Sequence, residues 1–286
     1  MISDITLGQF FPGDSLIHKL DPRTKILLAT AFIVSVFMAN NPISLTIVCM
    51  FAVFLVFVSK IDFAIILKSI KPIVFILIFT ALINIFMTEG VGEPLVEFWI
   101  LKIYTDGIVR AVFMAVRVII LIIGTSILLT YTTSPISLTD GLESLLSPLK
   151  KIKVPVHTFA MMMSIALRFI PTLVEETEKI MNAQKSRGAD FTSGGLVKRA
   201  KALIPLLVPL FVSSFKRAEE LATAMECRCY RGDKNRTKLV KLEYKTRDFV
   251  SMLIFVVFLA LIVSLAVIPY RFELSGLIYD VMFYKI

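Results

Sequence analysis

Long uncharged runs separated by short charged stretches lay out the plan of this chain. Residues 26–59 carry no charged side chain, and only Asn40-Asn41-Pro42 interrupts their apolar pattern. A charge in hydrocarbon costs about 2.5 kcal/mol or more, so such runs mark membrane spans. The Asn-Asn-Pro trio is turn punctuation that divides this run in two. The pattern predicts five spans, at about 26–39, 43–59, 72–87, within 107–131, and 249–268. The first is short, and Arg23 and Lys25 extend it by snorkelling. Asp21-Pro22 reads as an N-cap with Pro at the first helical position.

Between spans four and five the pattern becomes amphipathic and predicts three helices. They cover about 137–149, 156–186 (ending at Gly188, a natural C-cap) and 196–229 (following Gly194-Gly195). Each long helix has an uncharged run of 14 residues near its start, 154–167 and 202–215, and then turns strongly polar. Pro171 interrupts one, Pro205 and Pro209 the other. Fourteen residues give about 21 Å of helix, too short to cross a core of about 30 Å upright. The expectation is a pair of helices lying at the inner membrane face. A second reading counts two further spans, which as a pair leave the orientation unchanged. The expected domains are residues 1–135 (spans one to four), 136–246 (a cytoplasmic or interfacial part) and 247–286 (the last span and an outer tail).

Composition supports this plan. Of 286 residues 57% are hydrophobic and only 19% charged, against about 45–50% apolar in a soluble domain. Disorder and a disulfide scaffold are excluded, the cysteines being only Cys49, Cys227 and Cys229. The first 25 residues carry no apolar core, so no cleavable secretory signal is expected. Lys19, Arg23 and Lys25 precede span one, and Lys60, Lys68 and Lys71 lie between spans two and three. Residues 89–106 hold four acids and only Lys102, with Trp99 and Tyr104 suited to an interface. Positive loops face the cytoplasm, which places the N-terminus inside and the tail 271–286 outside. Residues 140–248 hold 20 Lys/Arg and 12 Asp/Glu, a net +8 of the chain's +9. That charge enlarges the positive-inside signal and attracts anionic lipid. Its interleaving with Glu, and the lack of a binding module, argue against nucleic acid.

The two long helices end alike. Nine residues before Arg187 and Arg228 stand Glu178 and Glu219, seven before Ile180 and Leu221, and four before Ala183 and Ala224. A lone basic residue there would merely complement the macrodipole; two with matching approaches suggest a two-pronged docking device. No Gly-x4-Gly-Lys occurs, so no P-loop nucleotide site is expected. Cys227 and Cys229 lack further ligands at zinc spacing, and His18 and His157 do not supply them, so they read as reduced structural thiols. His18 reads as structural. Met161-Met162-Met163 reads first as helix packing and second as an adaptable partner surface. Arg110 and Arg117, seven apart on one face, are the best support for the alternative of a stand-alone secondary transporter or channel.

The run Phe11-Pro12-Gly13-Asp14-Ser15-Leu16-Ile17-His18-Lys19-Leu20-Asp21-Pro22-Arg23-Thr24-Lys25 opens a pattern that two more motifs complete. These are Ala183-Gln184-Lys185-Ser186-Arg187-Gly188-Ala189 and Ala224-Met225-Glu226-Cys227-Arg228-Cys229-Tyr230. Together they resemble the transmembrane T component of energy-coupling factor transporters, the EcfT/CbiQ family. The resemblance implies an all-α polytopic membrane protein with about five transmembrane helices and a cytoplasmic coupling domain of about three helices, two of them long and crossing. It implies a non-catalytic subunit in the cell membrane of a prokaryote, working with two ABC-type ATPases, which bind ATP and Mg. A membrane S component would capture a vitamin or metal ion. Ser186-Arg187-Gly188 and Cys227-Arg228-Cys229 would be the ATPase contacts. Met161, Met162 and Met163 would belong to the coupling surface, and no cofactor is expected in this chain. The second motif departs from the common Ala-Arg-Gly form, with Cys in place of both Ala and Gly.

Overall fold

Asp21 caps the first helix as its place before Pro22 suggests: its carboxylate accepts the Arg23 N–H at 2.9 Å. Helix α1 then covers Pro22–Met38 and stops before Asn41-Pro42, which open α2 (Pro42–Ser59). The Asn41 N–H donates to Ser44 Oγ at 3.1 Å, fixing the start of α2. This computed structural model describes residues 10–88, 96–98, 101–189, 191, 195–230, 232, 242–267, 271–274 and 277–280. The chain continues through α3 (Phe63–Ile70), a 3-10 turn at Lys71–Ile73 and α4 (Val74–Met87). Pro72, without an N–H, accounts for that tighter turn. A hairpin of β1 (Val96–Phe98) and β2 (Leu101–Ile103) leads to α5 (Thr105–Thr125), which widens into a π-helical turn at Ser126–Tyr131.

Beyond it come α6 (Pro135–Leu145) with a 3-10 segment Ser147–Ile152, the long α7 (Val156–Ser186) and α8 (Leu196–Cys227), and α9 (Thr246–Val267). A second hairpin pairs β3 (Arg271–Leu274) with β4 (Leu277–Asp280). The bounds of α7 match the sequence pattern. The helix expected at 137–149 instead tightens before Pro148, which disfavours α geometry in its predecessor. Neither hairpin was foreseen. Trp99, the residues 281–286 and most of the polar link after Tyr230 lie outside the described residues.

Two compact units result: Phe10–Ser134 with Leu242–Ile286, and Pro135–Lys241. Among the described residues five helices are long and apolar enough to cross a membrane: Pro42–Ser59, Phe63–Met87, Thr105–Tyr131, Val156–Ser186 and Thr246–Ala266. Four coincide with expected spans. At 17 residues α1 rises only about 25 Å. In its place stands α7, whose 31 residues include the apolar half expected to rest at the membrane face. It is the least apolar of the five.

In the first unit the core lies where α1, α2, α5 and α9 meet. Phe32, Val36, Val48, Ile127 and Ile262 are fully shielded there. Phe51 stacks on Phe258 with centroids 4.1 Å apart and meets Phe255 edge-on at 4.9 Å. Gly124 lets α5 approach α1: a Cβ there would collide with the Phe32 ring. One end of the bundle is tied by buried polar groups. Asp248 accepts the Asp21 N–H at 2.7 Å and the Lys245 N–H at 2.8 Å. Lys25 Nζ donates to Thr132 O at 2.7 Å and His18 O at 3.2 Å. The His18 ring bridges Ser15 Oγ at 2.6 Å and Phe11 O at 2.9 Å, a structural role.

Candidate functional site

The second unit carries every residue singled out for docking. Its two long helices run antiparallel. Glu176 in α7 accepts hydrogen bonds from Ser213 and from Arg217 Nη2 of α8, the latter at 2.9 Å. Nearer the start of α7, the Tyr230 hydroxyl beyond α8 donates to the Met161 sulfur at 3.3 Å. As residue numbers fall along α7 they rise along α8, so Arg187 and Arg228 stand at opposite ends of the pair. The Ser213 hydroxyl first, then Arg217, holds the Glu176 carboxyl below its ordinary value of 4.5. Glu176 lies in the polar half of α7, beyond its apolar run. At the other side of α7, buried Glu143 of α6 meets His157 Nδ1 at 2.9 Å and joins those two helices.

Both arginines occupy the same backbone position. Arg187 closes α7 at φ −89°, ψ 8°, and Arg228 closes α8 at φ −91°, ψ 15°. After Arg187, the Gly188 N–H donates to Lys185 O at 2.9 Å and Ala189 N–H to Gln184 O at 3.0 Å. After Arg228, the Cys229 N–H donates to Glu226 O at 2.8 Å and Tyr230 N–H to Met225 O at 3.1 Å. Each end is a Schellman cap with a left-handed residue next, Gly188 at φ 84° and Cys229 at φ 57°. The replacement of glycine by cysteine has therefore not altered the cap. Since backbone N–H groups already satisfy these carbonyls, neither guanidinium is needed to cap its helix.

Ser186, Arg187, Gly188, Cys227, Arg228 and Cys229 are all exposed. Among the described residues neither arginine forms an ion pair or side-chain hydrogen bond, unlike Arg217 and Arg23. Cys227 and Cys229 are free thiols. The methionine triplet divides: Met161 is half-buried against Tyr230, while Met162 and Met163 are 53% and 41% exposed. The apolar half of α8 is largely uncovered, with Leu207, Phe211, Val212 and Phe215 all above 60% exposed. A band of that size requires lipid or a partner. The clasp of Glu176 with Ser213 and Arg217 was not foreseen. Pairing across two helices depends on which faces meet, and neither helix signals its partner.

The chain matches the CbiQ family, described as cobalt transport protein, over residues 13–239. It is 55% identical to the energy-coupling factor transporter transmembrane protein EcfT of Clostridium kluyveri over 253 residues, covering 88% of this chain and 93% of that one. The protein of the same name in Bacillus subtilis is 50% identical over 248 residues, 87% and 93% of the two chains. That of Listeria innocua is 46% identical over 279 residues, 98% of both. The chain belongs to the CbiQ/EcfT family.

As a CbiQ/EcfT protein it is an all-α polytopic membrane subunit that couples transport in an ABC importer of the energy-coupling factor type. It is a transport subunit, not an enzyme. The family acts with ATPase and S-component subunits. Arg117, on which the stand-alone transporter reading leaned, donates to Ala39 O at 2.6 Å and so ties α5 to the end of α1. CbiQ/EcfT membership sets that alternative aside.

Proposed function

We propose that this chain joins two cytoplasmic ABC-type ATPases through Ser186-Arg187-Gly188 and Cys227-Arg228-Cys229, one motif to each. Helices α7 and α8 then pass ATP-driven movement to a membrane S component that takes up a vitamin or similar micronutrient. Their apolar halves, with Met162 and Met163, meet that component or the surrounding lipid. The N-terminus and residues 136–246 face the cytoplasm of a prokaryotic cell. One observation carries the reading: two helix ends share a cap geometry and each presents an exposed arginine with no partner among the described residues. A planar guanidinium can grip a carboxylate with two parallel hydrogen bonds, which an ammonium does not reproduce.

Co-purification tests it. Arg187→Ala and Arg228→Ala should each weaken ATPase retention, by about 2–5 kcal/mol where the arginine meets a buried charge. Lys at either position should rescue only in part, and the double Ala variant should lose the complex while remaining inserted in the membrane. A solvated helix-end charge would be worth only about 0.3–1 kcal/mol, and Lys would replace it freely. Full retention of both ATPases by the double variant overturns the proposal.

A further inference from the structure

In the first unit, the segment before α1 together with α1, α2 and α9 encloses a groove of about 360 Å³. Its floor is made by Ile17, Leu28, Leu55 and Phe255, none more than 5% exposed. Its rims include Leu16, Phe54, Val250 and Ile254, 46–65% exposed, so the groove opens to the surroundings of the unit. The lining is apolar along its length, apart from Ser251, whose hydroxyl turns back to donate to Asp248 O at 2.9 Å. Only one end is polar, where Thr246 and Arg247 begin α9.

The charge at that end is uncompensated among the described residues. Arg247 is exposed and makes no ion pair or hydrogen bond among the described residues. The adjacent Asp248 carboxylate is occupied by the N–H groups of Asp21 and Lys245, and Arg23 is paired with Asp21. From Thr246 to Phe255 the α9 wall of the groove rises about 13 Å. That is close to half of a hydrocarbon core of about 30 Å, the depth of one leaflet. A cation at the mouth of an apolar slot one leaflet deep complements a molecule that is negative at one end and hydrocarbon beyond it.

We infer that this groove holds an acyl chain of an anionic glycerophospholipid whose phosphate rests on Arg247. The site is independent of the ATPase-docking reading, because no residue of α7 or α8 takes part. Burial of the chain against Phe255 and Leu55 supplies affinity for any lipid, and the guanidinium supplies preference for an anionic one.

The test uses the full chain purified in mild detergent and given equal amounts of dioleoyl phosphatidylglycerol and dioleoyl phosphatidylcholine. Retained lipid is read by native mass spectrometry. The native chain should favour phosphatidylglycerol roughly fivefold or more. Arg247→Gln should abolish that preference while still holding lipid. Val250→Trp, an indole placed on an exposed rim to fill the groove, should release both lipids with gel-filtration profile and thermal unfolding unchanged; Ile254→Trp substitutes if that variant misfolds. Equal retention of the two lipids by the native chain overturns the inference. So does a preference that survives Arg247→Gln, or bound lipid that survives both Trp variants. Shielding of a cysteine at position 250 by a co-purified membrane subunit, without bound lipid, would likewise assign the groove to protein.

Discussion

Cys229 occupies a left-handed backbone position that ordinarily belongs to glycine. A Cβ there meets the following carbonyl, at roughly 1–2 kcal/mol, whereas Gly188 holds the equivalent place without that strain. Cys229→Gly should therefore raise stability by about 1 kcal/mol, and Gly188→Ala should lower it by a similar amount. Thermal unfolding of the purified chain in detergent, with proteolysis at each helix end, would show both effects; opposite signs would contradict the shared cap. The parallel between the two ends was legible at Gly188, a recognised helix stop, and at the matched Glu, aliphatic and Ala positions before each arginine. It was not legible at Cys229. Cysteine carries no preference for positive φ, and the cap is set there by the Tyr230 and Cys229 N–H groups reaching back one turn.

At the scale of elements, close approach and cross-helix pairing matter most. Gly124→Ala should force the Phe32 ring aside and cost about 1–3 kcal/mol as an overpacked interface. Phe32→Leu should recover part of the loss in the same unfolding assay, and full stability of Gly124→Ala alone would argue against so tight a contact. The α7–α8 clasp should respond to acid. The Glu176 carboxyl is held below its unfolded value, so its contribution is present above about pH 4.5 and is lost as pH falls through the lower folded value. Hydrogen exchange around residues 213–217 should quicken in that window, and Glu176→Gln should flatten the response. Helix existence was readable from periodicity and proline, down to the bounds of α7. The π turn at Ser126–Tyr131 was not, since an uncharged run reads alike in α and π geometry; beside it the buried Thr132 and Thr133 hydroxyls both donate to Leu128 O, at 3.1 and 3.4 Å.

For the whole molecule, the alternation of Lys and Arg between loops predicts an N-terminus inside and a tail outside. A cysteine replacing Asp280 should be labelled by an impermeant maleimide from outside intact cells, against a background lacking Cys49, Cys227 and Cys229. Labelling only after the membrane is opened would reverse the assignment. The antiparallel pair has a mechanical consequence as well. Taken as a pivot, the clasp at Glu176 leaves about 16 Å of α7 on the Arg187 side and about 30 Å towards Val156. Arg217 divides α8 in nearly the same proportion, about 16 Å to Arg228 and about 31 Å to Leu196. Each helix is then a lever with arms near one to two, its short arm lying beside the long arm of the other. A push of about 2 Å at either arginine swings the far end of its helix by about 4 Å, with the force there halved.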